Sequence, residues 1–315
     1  MAHYDPKDMA EALGRNLLAF PITPYNSNLD LDLSAYRAHL SWMLQFKPAG
    51  IFAAGGTGEF FSLSPAEIAD ITTATVEEVG GRVPVLAGVG YGRGIALDMA
   101  RGAETAGADG ILLLPPYLVS ASQEGLADHI EAVCRATDLG VIVYNRDNAI
   151  VTADTLARLC ERCPNLVGYK DGVGDLELMV RIENKIGDRL LYVGGLPTAE
   201  LFALPYLTMG VTTYSSALFN FLPNFAVSFY EAVRRQDLAA ISKGLREFVL
   251  PYTAIRNRGK GYAVSIVKAG AEMMGRASGA LRPPLTQLDE RSARDLAELL
   301  ERFGDTRLEL ADAAE

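Results

Sequence analysis

The chain has 315 residues, 49% of them hydrophobic and 22% charged, a balance that supplies a sizeable core and excludes an intrinsically disordered chain. Its formal net charge is -10, and 29 basic residues are dispersed among 39 acidic ones without a Lys/Arg run, so no nucleic-acid partner is expected. No apolar run reaches the roughly 18 residues of a membrane span, and Met1 to Asp8 lacks the basic and apolar blocks of an export signal, so no membrane partner and a cytoplasmic location are expected.

Short β-rich apolar runs occur, in chain order, at 17–20, 50–53, 84–88, 110–114, 140–144, 166–170, 190–193 and 211–214. Each is followed by a longer stretch of helical period, the pattern of βα units around a parallel sheet. Helix starts are legible: Ser64-Pro65-Ala66-Glu67 combines a cap, a first-turn proline and an early acid, and Ser122, Asp154 and Asp175 open other helices. Eight alternating units exceed the five or six strands usual in a doubly wound sheet, so the fold class is α/β and the architecture a (β/α)8 TIM barrel over residues 1–222 with a short N-terminal arm. From Pro223 the pattern is helical only, with helices expected at 224–234, 237–250, 262–275 and 290–304, giving a C-terminal helical extension over 223–315 packed on the barrel; from Thr306 the chain turns polar and should fray. Cys134, Cys160 and Cys163 suit a reducing compartment, and the lone C-x2-C pair has no second pair at zinc spacing, so no metal site is expected.

Active sites of such barrels lie at the C-terminal ends of the strands. There the sequence places Gly55-Gly56-Thr57-Gly58-Glu59, Tyr144-Asn145-Arg146, Tyr169-Lys170-Asp171, Gly194-Gly195 and Thr212-Thr213-Tyr214-Ser215-Ser216. Strand alternation puts Lys170 on the face of Gly168. With that face inward, a desolvated lysine has a lowered pKa and its free amine can attack a carbonyl; otherwise Lys170 simply reaches solvent. Tyr144 ends the adjacent strand, where its hydroxyl is either a proton shuttle or the polar tip of a packed aromatic. The glycines around Thr57 suit close approach of a carboxylate, although glycine is common in tight strand-to-helix turns of any kind. Neither this loop nor Gly88-Val89-Gly90-Tyr91-Gly92 completes a dinucleotide-binding fingerprint. The histidines, His3, His39 and His129, fall on the arm and inside helices, leaving no base for a Ser-His or Cys-His system. Glu59 and Asp171 form a conceivable glycosidase pair, but Asp171 should point away from Lys170.

Taken together, the G-x-T-G-E loop, Tyr144-Asn145 and Tyr169-Lys170-Asp171 resemble the dihydrodipicolinate synthase and N-acetylneuraminate lyase superfamily, and the likeness runs from Phe20-Pro21-Ile22-Thr23-Pro24 through Ser122-Gln123-Glu124-Gly125-Leu126 into the tail. The resemblance implies a Schiff-base lyase that needs no cofactor beyond the covalent imine on Lys170. It also implies proton relay by Tyr144, binding of the oxo-acid carboxylate at Gly56 and Thr57, and Thr212 as a lining residue, with Gly194 and Ser215 beside it. Departures from the lysine-pathway synthases at Gly56, Leu118 and Ala149 point elsewhere in the superfamily. Gly-Gly-Thr-Gly-Glu-Phe-Phe-Ser-Leu with Tyr-Asn-Arg-Asp-Asn-Ala is similar to its decarboxylating branch, which dehydrates 5-dehydro-4-deoxyglucarate, a 2-oxo dicarboxylic sugar acid. Arg146 or Arg93 is the expected partner of the second carboxylate, or else hydroxyls of Ser215 and Thr213 line that end. A homodimer or homotetramer is implied, with the Pro115-Pro116-Tyr117 loop near a subunit boundary. The alternatives are a 2-oxo-acid aldolase of the same superfamily and a non-catalytic oxo-acid-binding barrel.

Overall fold

The computed structural model describes residues 2–310. Eight parallel strands, β1 (Leu18–Ala19), β2 (Gly50–Ala53), β3 (Val85–Val89), β4 (Gly110–Leu113), β5 (Gly140–Asn145), β6 (Leu166–Asp171), β7 (Leu191–Gly194) and β8 (Thr213–Ser216), pair in sequence order, and β1 closes on β8. Helix α1 (Pro6–Leu13) precedes the barrel. Helices α2 (Leu33–Leu44), α3 (Pro65–Val79), α4 (Arg93–Thr105), α5 (Gln123–Cys134), α6 (Ala153–Arg162), α7 (Leu176–Ile186) and α8 (Ala203–Leu207) follow β1 to β7 in turn. After β8 come α9 (Pro223–Arg235), α10 (Leu238–Gly244), α11 (Leu250–Arg256), α12 (Tyr262–Met273) and α13 (Glu290–Phe303). The (β/α)8 TIM barrel expected from the apolar periodicity is therefore the fold.

Local chemistry explains the helix starts. Ser64 accepts a hydrogen bond from the Glu67 amide while the Glu67 carboxylate accepts one from Ser64, with Pro65 in the first turn: a capping box. Ser122 and Asp175 cap α5 and α7. Helix α6 is capped by Thr152 rather than opened by Asp154, which sits in its first turn.

Side chains alternate between two cores. Leu18, Phe52, Leu86, Leu112, Ile142 and Val193 fill the barrel, whereas the other strand faces pack under the helices. At the N-terminal end the barrel is stoppered by α1, whose Met9 and Leu13 are fully buried. Glycines at the strand starts make room for it: a Cβ on Gly110 would lie 2.4 Å from the Met9 sulfur, and one on Gly50 2.2 Å from Leu13 Cδ2. Only the C-terminal end is left open for chemistry.

Two elements differ from expectation. The eighth strand runs over 213–216 instead of 211–214, because its ladder to β7 begins at Thr213. The helix expected to stop before Pro251 continues from Leu238 to Arg256 through a π turn at Leu245–Val249. Proline offers no N–H to the helix ladder, and the wider π register immediately before it absorbs that break.

Candidate active site

Lys170, the penultimate residue of β6, points inward, as its shared parity with Gly168 requires, and is 4% exposed. Two glycines make the position possible. A Cβ on Gly168 would lie 2.8 Å from Ile142, and one on Gly195 would lie 2.7 Å from Lys170 Cγ and 2.8 Å from Cε. The amine rests on aromatic faces, with Nζ 3.9 Å from the Tyr144 ring centroid and 4.5 Å from that of Phe20, which itself stacks on Phe52. Burial, assisted by the nearby Arg146 charge and opposed by Asp171, brings its pKa from 10.5 down to about 7. A large fraction of Lys170 is thus the free amine near neutrality, the form that attacks carbonyls.

Tyr144 pairs with Lys170 across the β5–β6 ladder. Its hydroxyl donates to the Gly195 carbonyl at 2.9 Å and accepts from Arg146 Nη1 at 3.1 Å. Gly172 leaves space for this ring, since a Cβ there would lie 2.6 Å from Tyr144 Cε2. Burial holds the phenol above its ordinary pKa while Arg146 pulls it down.

The loop after β2 carries Gly56 and Thr57 into the same cavity of about 580 Å³ that contains Lys170, Tyr144, Arg146 and Ser215. A Cβ on Gly56 would meet nothing within 4 Å, so the glycine widens the cavity beside Thr57. The loop is fastened from behind: Thr23 Oγ1 donates to the Gly58 carbonyl at 2.7 Å, and Glu59, in a left-handed backbone conformation and fully buried, pairs with Lys268 of α12 at 2.9 Å. Lys268 also donates to the Thr23 and Ala280 carbonyls. Neither acid of the conceivable glycosidase pair is available for chemistry. Glu59 is held by Lys268, and Asp171 faces outward, accepting from the Val173 and Gly174 amides and from Tyr206.

Several expected site residues lie elsewhere. Thr212 precedes β8, and its hydroxyl donates to the Gly14 carbonyl at 3.4 Å, beside the stopper helix at the opposite end of the barrel. Ser215 occupies the cavity position instead and donates to the Gly194 carbonyl at 3.3 Å. Gly194 itself turns toward the helix layer, where a Cβ would lie 2.9 Å from that of Tyr214, and it is Gly195 that borders Lys170. Thr213 donates to the Asn16 carbonyl below the cavity, and Arg93 is exposed at the start of α4; neither lines the cavity. The histidines stay outside it as expected; His39 bonds to Asn220, and burial brings it down to about 4. Sequence reasoning missed Tyr252 and Arg256, which α11 brings to the cavity wall, and Lys268 behind the loop. All three sit on helices of the tail, where no local motif marks them. Among the described residues, no group of three or more His, Cys, Asp or Glu side chains is placed to hold a metal, and no helix is long and apolar enough to cross a membrane.

Residues 14–303 match the Dihydrodipicolinate synthetase family. Among curated relatives, a protein of Bradyrhizobium diazoefficiens described as a probable 5-dehydro-4-deoxyglucarate dehydratase is 61% identical over 303 residues, covering 96% of each chain. One of Methylobacterium radiotolerans with the same description is 62% identical over 307 residues, covering 98% of this chain and 100% of its own. Among solved structures, dihydrodipicolinate synthase from Bacillus clausii superposes with a TM-score of 0.86 at 28% identity, over 93% of this chain and 99% of that one. With a buried lysine, its adjacent tyrosine and the threonine loop assembled at the open end of the barrel, and with these matches over nearly its whole length, this chain belongs to the dihydrodipicolinate synthetase family.

Proposed function

We propose that the protein is a 5-dehydro-4-deoxyglucarate dehydratase of the decarboxylating kind, a Schiff-base lyase acting in the cytoplasm. The observation that carries the chemistry is the buried Lys170 over the Tyr144 ring, its pKa brought down to about 7; the 57–62% identity to dehydratases so described carries the substrate. The 2-oxo carbon condenses with Nζ, releasing water, and the resulting iminium acidifies the adjacent CH2. Loss of that proton gives an enamine that expels the neighbouring hydroxyl as water. The conjugated iminium accepts the electron pair freed when the far carboxylate leaves as carbon dioxide. Reprotonation of the carbon chain, tautomerisation of the remaining enol to an aldehyde and hydrolysis of the imine release 2,5-dioxopentanoate. Starting from the dianion, the sequence consumes one proton overall, and as written it draws on no metal or nucleotide.

In this reading Tyr144 passes protons to and from the carbinolamine oxygen, and Arg146 beside its hydroxyl stabilises the phenolate that each donation leaves. Gly56 and Thr57 hold the carboxylate next to the reacting carbon, and Ser215 offers a hydroxyl to the chain. The exposed Tyr117, Leu118 and Val119 beside the cavity mouth suit burial between copies of the chain in a homodimer or homotetramer. The test is incubation with 5-dehydro-4-deoxyglucarate, following carbon dioxide, aldehyde and pyruvate together. Carbon dioxide and 2,5-dioxopentanoate should form in equal amounts. Pyruvate with a three-carbon aldehyde acid would replace this reading by an aldolase, and no product with any oxo acid would leave a binding barrel.

A further inference from the structure

Of the described residues lining the cavity, Lys170, Arg146 and Arg256 are the basic ones and Asp147 is the acid. Arg146 is already engaged, donating Nε to Asp147 at 3.3 Å and Nη1 to the Tyr144 hydroxyl. The hydrogen-bond partners of Arg256 are neutral, and the buried Glu200 acts on it only through its charge. Arg256 Nη1 donates to the Pro197 carbonyl at 2.9 Å and to Thr198 Oγ1 at 2.5 Å, while Nε and Nη2 both reach the Asn257 side-chain oxygen, at 3.1 and 2.9 Å. Among the described residues it has no carboxylate within ion-pair distance. A half-buried guanidinium is ordinarily paired, and the two-pronged edge now capped by an exposed amide oxygen is the geometry that a carboxylate fills bidentately.

The surroundings are built to hold it there. Thr198 adopts φ 55, a left-handed conformation uncommon outside glycine and of a kind that concentrates at ligand clamps. The π turn at Leu245–Val249 sets the rotation of α11, so that Tyr252 and Arg256, four residues apart on one face, both meet the cavity. Pro197 lies two residues beyond Gly195, the residue against Lys170, a span of at most about 7 Å. In an extended six-carbon 2-oxo diacid, the far carboxyl carbon lies about 5 Å from the imine carbon.

We propose that Arg256 selects the second carboxylate: it displaces Asn257 from its guanidinium and takes the far carboxylate of a 2-oxo diacid held as an imine on Lys170. This rests on the Schiff-base reading above and adds a residue to it. Borohydride trapping tests it with 2-oxoadipate, which matches the chain length but has no hydroxyl to expel, against 2-oxohexanoate, which lacks the far carboxylate. The wild-type protein should reach half-maximal trapping at a much lower concentration of 2-oxoadipate. In Arg256→Gln that preference should fall roughly ten-fold or more, with 2-oxohexanoate unchanged and Arg256→Lys keeping part of the preference. Asn257→Asp, at an exposed position, leaves Arg256 in place but supplies a competing carboxylate, and should also remove the preference. The proposal is overturned if either Arg256→Gln or Asn257→Asp keeps the wild-type preference, if Arg256→Gln weakens both acids equally, or if Arg146→Gln removes the preference instead. Wild-type protein that traps neither acid would sink the imine on Lys170, and this proposal with it.

Discussion

Replacing Lys170 by methionine should end imine formation and at the same time stabilise the fold at neutral pH. Methionine has a similar unbranched stem, so the space cleared by Gly195 stays filled and the sulfur rests on the Tyr144 and Phe20 rings. Burial lowers the lysine pKa from 10.5 to about 7, so between those values the unfolded chain binds a proton that the folded chain does not. Stability therefore rises with pH across that window, and the penalty is full at and below its lower edge. At 1.36 kcal/mol per pH unit, the wild-type lysine costs about 5 kcal/mol near pH 7, about 2 kcal/mol at pH 9 and nothing above the unfolded value. Equilibrium urea unfolding of both proteins at pH 7 and pH 9 reads the difference directly, with other titrating groups cancelling. The variant's advantage should shrink by about 3 kcal/mol between the two pH values. An advantage that is the same at both, or a destabilised variant at pH 7, would refute the desolvated amine.

The pH dependence of kcat/KM carries the same signature in function: only the neutral amine attacks, so the value should climb about ten-fold per pH unit below pH 7 and level off above it. Arg146→Gln removes a charge that lowers the Lys170 pKa and should move the bend upward; a flat profile from pH 5.5 to 8 would contradict it. Tyr144→Phe should lower turnover by roughly 10²-fold or more while half-maximal binding of an unreactive diacid stays put, and unchanged turnover would move the proton relay to another group. Lys268→Met strands the wholly buried Glu59 without its cation and should cost about 3–5 kcal/mol in urea unfolding, part of which Glu59→Gln in the same protein restores. Additive losses in the double variant would mean that the two side chains are not coupled.

The barrel was legible because parallel strands buried on both faces read as short apolar runs, and seven of the eight ladders fall on the runs with their ends shifted by a residue or so. The eighth was displaced for a physical reason. Val211 marks the apolar start of the run, yet the strand proper continues through Ser215 and Ser216, polar residues that satisfy the Gly194 carbonyl and Glu200. That shift leaves Thr212 before the strand, at the opposite end of the barrel from the lining position that the resemblance implies for it. Gly194 and Gly195 differ by one residue and therefore by one face, which composition alone does not settle. Lys170 and Tyr144 were visible because strand-end position and alternation are local. Arg256 and Lys268 were not, since they reach the cavity from helices whose placement depends on packing across the whole chain. The N-terminal arm likewise gave no sign that Met9 and Leu13 stopper the barrel.

The bond between Glu59 and Lys268 joins residues 209 positions apart. A chain growing on the ribosome at about 5–20 residues per second completes Glu59 roughly 10–40 s before Lys268 exists. During that interval the second βα unit holds an acid whose native site has no counter-charge, so the loop bearing Thr57 cannot settle early without leaving a carboxylate stranded in the interior. Assembly of the barrel wall and maturation of the Thr57 loop are thereby separated in time, and a polypeptide cut short before α12 would be a closed cylinder with an unfinished mouth.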